Sequence, residues 1–159
     1  MATNGTVRQR LQAEGVPPAK VTVIPPGVDV DFIDRAEPAN LHAELFMPTQ
    51  APIVGNVGLL DQQKGHHHLI AAAGLVLHDV PDARFVIMGE GPLREALTRE
   101  VHTRHLDRHV FLPGFHVDSA RHMKGFDVYV SAALQVTGSL ALIEAMAASR
   151  PIVATAVGH

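Results

Sequence analysis

Hydrophobic residues in this chain fall into short, β-branched runs, separated by stretches in which apolar positions recur every three or four residues. The short runs are Val21–Ile24, Ile53–Val57, Arg84–Gly89, Val110–Leu112, Val128–Ala132 and Ile152–Thr155. Nearly continuous apolar runs of this length are expected of strands buried on both faces of a parallel sheet. Between them, Gly65–His78, Leu93–Arg104, Ser119–Lys124 and Ser139–Ala148 carry the helical pattern. Repeated strand–helix–strand units predict an α/β fold with a Rossmann-like, doubly wound parallel sheet and right-handed crossovers. Ligands of such sheets bind beyond the carboxyl ends of the strands. The loops at those ends would be Gly58–Lys64, Gly89–Pro92, Gly114–Asp118, Ala133–Ser139 and Ala156–His159.

The first fifty residues read differently. Val7–Glu14 has a helical pattern closed by Gly15 and Pro17-Pro18. A strand at Val21–Ile24 follows, and then Asp34–Gln50 is polar and loop-like apart from a short helix near Leu41–Phe46. The chain is therefore read as a lead-in segment, 1–50, and an α/β domain, 51–159.

Composition narrows the function little. The 159 residues, 47% of them hydrophobic, suit a single domain with a sizeable core. A net charge of −3 argues against a broad nucleic-acid footprint. There is no cysteine, which excludes disulfides and thiolate zinc sites and permits a reducing cytosol. Uninterrupted apolar stretches such as Leu69–Leu77 fall far short of the roughly 20 residues that a transmembrane helix needs. The expectation is a cytoplasmic protein, with peripheral attachment to the inner face of a membrane left open.

The most informative stretch is 128–159. An apolar strand runs into a loop of small residues, Thr137-Gly138-Ser139, and then into a helix carrying one acid, Glu144. Backbone N–H groups at the start of such a helix are unpaired, and the positive end of the helix dipole lies behind them, so the loop is a seat for phosphate. Glu144, between one and two turns on, could accept two hydrogen bonds from a ribose diol. Its neighbours Leu142, Ile143, Ala145 and Met146 are apolar, which argues against an idle surface acid.

These residues also carry a resemblance. The string Leu142-Ile143-Glu144-Ala145-Met146-Ala147, followed by 150–155, resembles the donor-binding signature of the retaining, family-4 glycosyltransferases of the GT-B fold. Four more stretches match that family in the same order: 23–29, Lys64-Gly65, 86–92, and 110–114 with 126–128. The resemblance implies the C-terminal half of a GT-B enzyme, binding a nucleotide-sugar whose hexosyl group goes to an acceptor held by an N-terminal half. That half would precede Met1, the last helices of the donor domain would follow His159, and this chain alone would be inactive.

The resemblance assigns roles residue by residue. Lys64, after the Gly58 loop, would contact the donor diphosphate together with Gly58, Thr137, Gly138 and Ser139. Glu144 would hold the ribose, and His116 and Asp118 would lie near the base. No metal or other cofactor is expected. Two positions depart from the family pattern. An arginine five residues before the lysine is replaced by Leu59. A glutamate eight residues before the helix acid is replaced by Val136, or by Gln135 with a one-residue slip. Gln135 could still bond a sugar hydroxyl. The alternative reading is a non-catalytic or degenerate nucleotide-binding or interaction module; Leu59 and Val136 favour it, and Lys64 and Glu144 oppose it.

Other motifs are weaker. Gly89-Glu90-Gly91 begins a dinucleotide fingerprint, but Arg94 occupies its third glycine position. It reads as a tight strand–helix turn, and a hydride-transfer enzyme is correspondingly remote. Asp29-Val30-Asp31 reads as a turn or cap rather than a metal site. Of the eleven histidines, His66, His67 and His68 are consecutive and would point apart on a helix. His105 and His109 straddle a helix-to-strand connection, so neither group is expected to bind metal.

Overall fold

The computed structural model describes residues 1–135 and 139–157. Five strands, β1 (Ile53–Val57), β2 (Arg84–Met88), β3 (Val110–Gly114), β4 (Val128–Ser131) and β5 (Ile152–Ala154), form one parallel sheet in the order β3-β2-β1-β4-β5. The chain moves outward from β1 through α4 (His66–Asp79) to β2, and through α5 (Arg94–Thr103) to β3. It then crosses back through α6 (Ser119–Lys124) to β4 on the other side of β1, and α7 (Leu140–Ala147) leads to β5. The winding reverses between β1 and β4, where a doubly wound sheet opens a crevice for ligand.

Alternation along β2 shows why its whole apolar run is needed. Phe85 and Ile87 pack with Leu69, Ile70 and Ala73 of α4 and Leu97 and Val101 of α5. Val86 and Met88 pack on the opposite face with Ala120 and Met123 of α6 and with Phe126. All five β2 residues are buried, as expected for a central strand covered on both faces. Gly55 is fixed by the same packing, since a Cβ there would lie 2.1 Å from the Phe126 ring.

The first fifty residues differ most from expectation. The helix near the N-terminus is α1, Gly5–Ala13, capped by Asn4. The expected strand at Val21–Ile24 is a single bridge between Ala2 and Val23. It pairs with the short N-terminal stretch at Ala2, and Pro25 and Pro26, which lack N–H donors, end the pairing. An unexpected helix, α2 (Val30–Arg35), begins where Asp29 accepts the Phe32 N–H at 2.9 Å, so the Asp-Val-Asp string is a cap. The short helix near residue 41 is α3, Leu41–Glu44. Ile33, Leu41 and Met47 are buried in the same cluster as Phe126 and Tyr129, so 28–47 packs onto the face that α6 and α7 cover.

Candidate functional site

The carboxyl ends of the central strands carry two neighbouring cavities that share Val57, Gly58 and Leu59. The one at the β1–β4 reversal has a volume of about 430 Å³ and is lined by Lys64, Gly58, Tyr129 and Ser131, and by Ser139, Leu140 and Ala141 of the α7 start. The other, about 500 Å³, lies over the ends of β1 and β2 and is lined by Glu90, Phe115, His116 and Val117.

Lys64 is placed by a rigid corner. Asp61 caps a short 3₁₀ turn by accepting the Lys64 N–H at 3.1 Å. Gly65 then takes a left-handed conformation, φ 62°, and starts α4. A Cβ on Gly65 would lie 2.1 Å from the Ala132 carbonyl oxygen, so the corner rests directly on the loop after β4. The Leu134 N–H donates to the Gln63 carbonyl at 2.8 Å and holds the two loops together. The aliphatic stem of Lys64 lies along Gly58, 3.9 Å from where a Cβ would stand. Gly58 donates its own N–H to the Met88 carbonyl at 2.9 Å, so it gives the cavity an open floor rather than a donor.

Across the cavity, Ser139 caps α7 by accepting the Leu142 N–H at 3.2 Å. Leu140 and Ala141, in the first turn of the helix, also line the cavity, which brings the positive end of the helix to it. Gly58, Lys64 and Ser139 are thus brought together as the sequence suggested. Thr137 and Gly138, expected in the same seat, lie outside the described residues, as does Val136.

Glu144 lines neither cavity; it is half-buried on the second turn of α7. Burial pushes its carboxyl above the ordinary carboxylate range. None of the described residues bonds the carboxylate. Gln135 is exposed in the loop after β4 and lines neither cavity. His116 is in the larger cavity, its ring 4.5 Å from that of His122. Asp118 does not line that cavity and borders a smaller one, about 280 Å³, with Phe32, Arg35 and Arg121. Leu59, where the resemblance would place an arginine, is exposed on the rim common to both cavities, which leaves Lys64 the one basic residue in the described lining at the β1–β4 crevice.

Three further residues shape the crevice. Asn56 lies inside β1, where its side-chain amide donates to the Val130 carbonyl at 2.7 Å and its oxygen faces Nε2 of His66 at 3.0 Å. Burial pushes His66 down to about 4, so at neutral pH the ring is uncharged. Because Asn56 uses its N–H toward Val130, its oxygen must accept, and Nε2 is the ring's donor. Tyr129 donates its phenol O–H to the Val57 carbonyl at 3.4 Å. Burial pushes this phenol up to about 12, and the nearby Glu144 charge adds a smaller rise. The sequence did carry one signal for this group: a polar residue, Asn56, inside an otherwise apolar strand.

Among the described residues no group of three or more His, Asp or Glu could hold a metal, and no helix is long and apolar enough to cross a membrane. His66 is buried, but the His67 and His68 rings, expected to point apart, lie tilted against each other at 43° with centroids 4.0 Å apart. His109 faces the Ala83 carbonyl at 3.2 Å and serves the fold.

Comparison with known proteins gives a consistent picture. The family model for group 1 glycosyl transferases matches residues 51–159. The poly(ribitol-phosphate) alpha-N-acetylglucosaminyltransferase of Staphylococcus aureus (strain COL) is 31% identical over 102 residues, 64% of this chain and 21% of that protein. The D-inositol 3-phosphate glycosyltransferase of Mycobacterium bovis (strain BCG / Pasteur 1173P2) is 29% identical over 164 residues, 98% of this chain and 33% of that protein. Anabaena Alr3699/HepE, solved in complex with UDP-glucose, superposes with a TM-score of 0.83 at 21% identity, covering 99% of this chain and 44% of that one. The chain thus spans a third or less of these curated relatives' length.

Proposed function

This chain belongs to the group 1 glycosyl transferases, with the sheet of a GT-B C-terminal half, and from that premise we propose that its β1–β4 crevice binds the diphosphate of a nucleotide-sugar. The observation that carries the proposal is the convergence at the crevice of Lys64 and the Ser139-capped first turn of α7. A lysine and a helix N-terminus facing one another across an open glycine floor suit a group with charge on several oxygens. Both would also stabilise negative charge growing on the diphosphate as the sugar leaves. Glu144 holds the ribose hydroxyls: its half-buried carboxylate has no described partner, and a diol would supply two donors. The larger cavity, with His116, takes the base. Gln135 is the nearest candidate for a sugar contact.

The finer assignment is a retaining family-4 enzyme that moves a hexosyl group without metal. The acceptor is held by an N-terminal half, and this chain alone does not turn over, because transfer needs the acceptor oriented against the donor. Replacement of Lys64 by alanine tests the binding site. Loss of one charge-assisted hydrogen bond should weaken UDP affinity about ten- to a hundredfold by calorimetry. An unchanged affinity would remove Lys64 from the site.

A binding module without transfer is the second reading, and Leu59 favours it, since its apolar side chain leaves the crevice with a single lining cation. Nucleotide release from a panel of sugar donors, measured with this chain joined to an N-terminal acceptor half, separates the two.

A further inference from the structure

β1 and β4 are in register at Val54–Val128 and Gly55–Tyr129, preceded by the bond from the Asp127 N–H to the Ile53 carbonyl at 2.9 Å. On its other side β1 stays paired with β2 as far as Val57–Met88. β4 likewise stays paired with β5 as far as Ser131–Ala154. The two strands at the reversal therefore part over their last residues, and this parting is the mouth of the crevice. Asn56 bridges it from β1 to the Val130 carbonyl of β4, and His66 bonds Asn56 from the first position of α4, two residues beyond Lys64.

Packing alone gives no reason for this polar pair. His66 is 1% exposed, and its Nδ1 is buried with no hydrogen-bond partner among the described residues. Two apolar side chains would fill the same space with no ring nitrogen stranded, leaving only the Val130 carbonyl without its side-chain donor. What the pair does, and apolar residues could not, is tie three elements at one point: the strand that floors the crevice, the strand across from it, and the helix whose preceding corner carries Lys64. We infer that Asn56 and His66 are positioning residues for the donor diphosphate, an inference that rests on the donor-binding reading above. They fix the width of the β1–β4 mouth, and with it the placing of Lys64 opposite the first turn of α7.

The test is UDP affinity and melting midpoint for His66→Leu and Asn56→Leu, each made alone and in a Lys64→Ala background. Each single change should weaken UDP binding about tenfold through displacement of the corner, and should also lower the melting midpoint, because it leaves the other member of the pair buried without its partner; the affinity read in the cycle with Lys64, not the midpoint, reports the positioning. In the Lys64→Ala background the same change should have almost no further effect, because nothing is left to position. His66→Gln, whose amide can still donate to Asn56, should recover binding to within about threefold. Should a leucine variant fail to fold, the glutamine variant and Asn56→Ser are read in the same cycle. Unchanged affinity in the single variants, or losses that add fully to that of Lys64→Ala, would overturn the inference alone. Failure of the unaltered chain to bind UDP, GDP or ADP would overturn the donor reading and this inference with it.

Discussion

Replacing Gly65 with alanine strikes the corner on which both fold and site depend. Its φ of 62° places an L-residue in the left-handed region, at a cost of about 1–2 kcal/mol. The added methyl would also lie 2.1 Å from the Ala132 carbonyl oxygen, which is backbone and cannot swing aside. Relief requires the corner to lift from the loop after β4, stretching the bond from the Leu134 N–H to the Gln63 carbonyl. Overpacking of this kind costs about 1–3 kcal/mol. A combined loss of about 3 kcal/mol lowers the melting midpoint of a domain this size by about 6–12 °C. Gly74→Ala is the matched control. Gly74 lies inside α4, has open space around it and needs no left-handed backbone, so alanine should stabilise the helix by about 0.5–1 kcal/mol. Thermal melts followed by circular dichroism measure both. A Gly65→Ala midpoint at or above that of the unaltered chain would refute the claim that the corner rests on Ala132.

Three other outcomes are expected. Glu144→Ala should weaken UDP binding about tenfold by removing the acceptor of two ribose hydrogen bonds. Glu95→Ala, on α5 and paired with Arg99 at 3.6 Å, should leave it unchanged; equal affinities for the two variants would end the ribose assignment. His66 is held near 4 in the fold against an ordinary 6.5, so between those values the unfolded chain binds a proton that the folded chain refuses. Stability should therefore fall as pH drops from about 6.5 through 4, by on the order of 3 kcal/mol. Urea unfolding across that range should show the slope in the unaltered chain and a flatter one in His66→Leu. UDP titrations in excess chelator should match those with added magnesium or manganese; a strict metal requirement would contradict the reliance on Lys64 and the α7 terminus.

The sheet was legible because its strands are buried on both faces, so that burial writes itself into the sequence as unbroken apolar runs such as Phe85–Met88. The helices were placed to within a residue or two, since their caps and apolar stripes are local. The first fifty residues were less legible for the same reason reversed. Val21–Ile24 looks like a strand, yet among the described residues it makes only the bridge to Ala2, and α2 is too short to display a period. At the site, Lys64, Gly58 and Ser139 could be gathered because each sits in a loop after a strand. The partnership of Asn56 with Val130 joins positions 74 apart, and no periodicity reports it. Gly65 was noticed beside Lys64, but its necessity comes from a carbonyl 67 positions later. Asp118 looked like a companion of His116 in sequence; the turn into α6 sends the two to different depressions.

The most direct measurement is a crystal structure of the chain with UDP. The account predicts the diphosphate in the β1–β4 crevice, within hydrogen-bond distance of the Lys64 ammonium and the first turn of α7. It also predicts the ribose on Glu144 and the uracil in the cavity that contains His116. A nucleotide seated elsewhere, for instance against Phe32, Arg35 and Arg121, or a ribose turned away from Glu144 while Lys64 faces solvent, would contradict it.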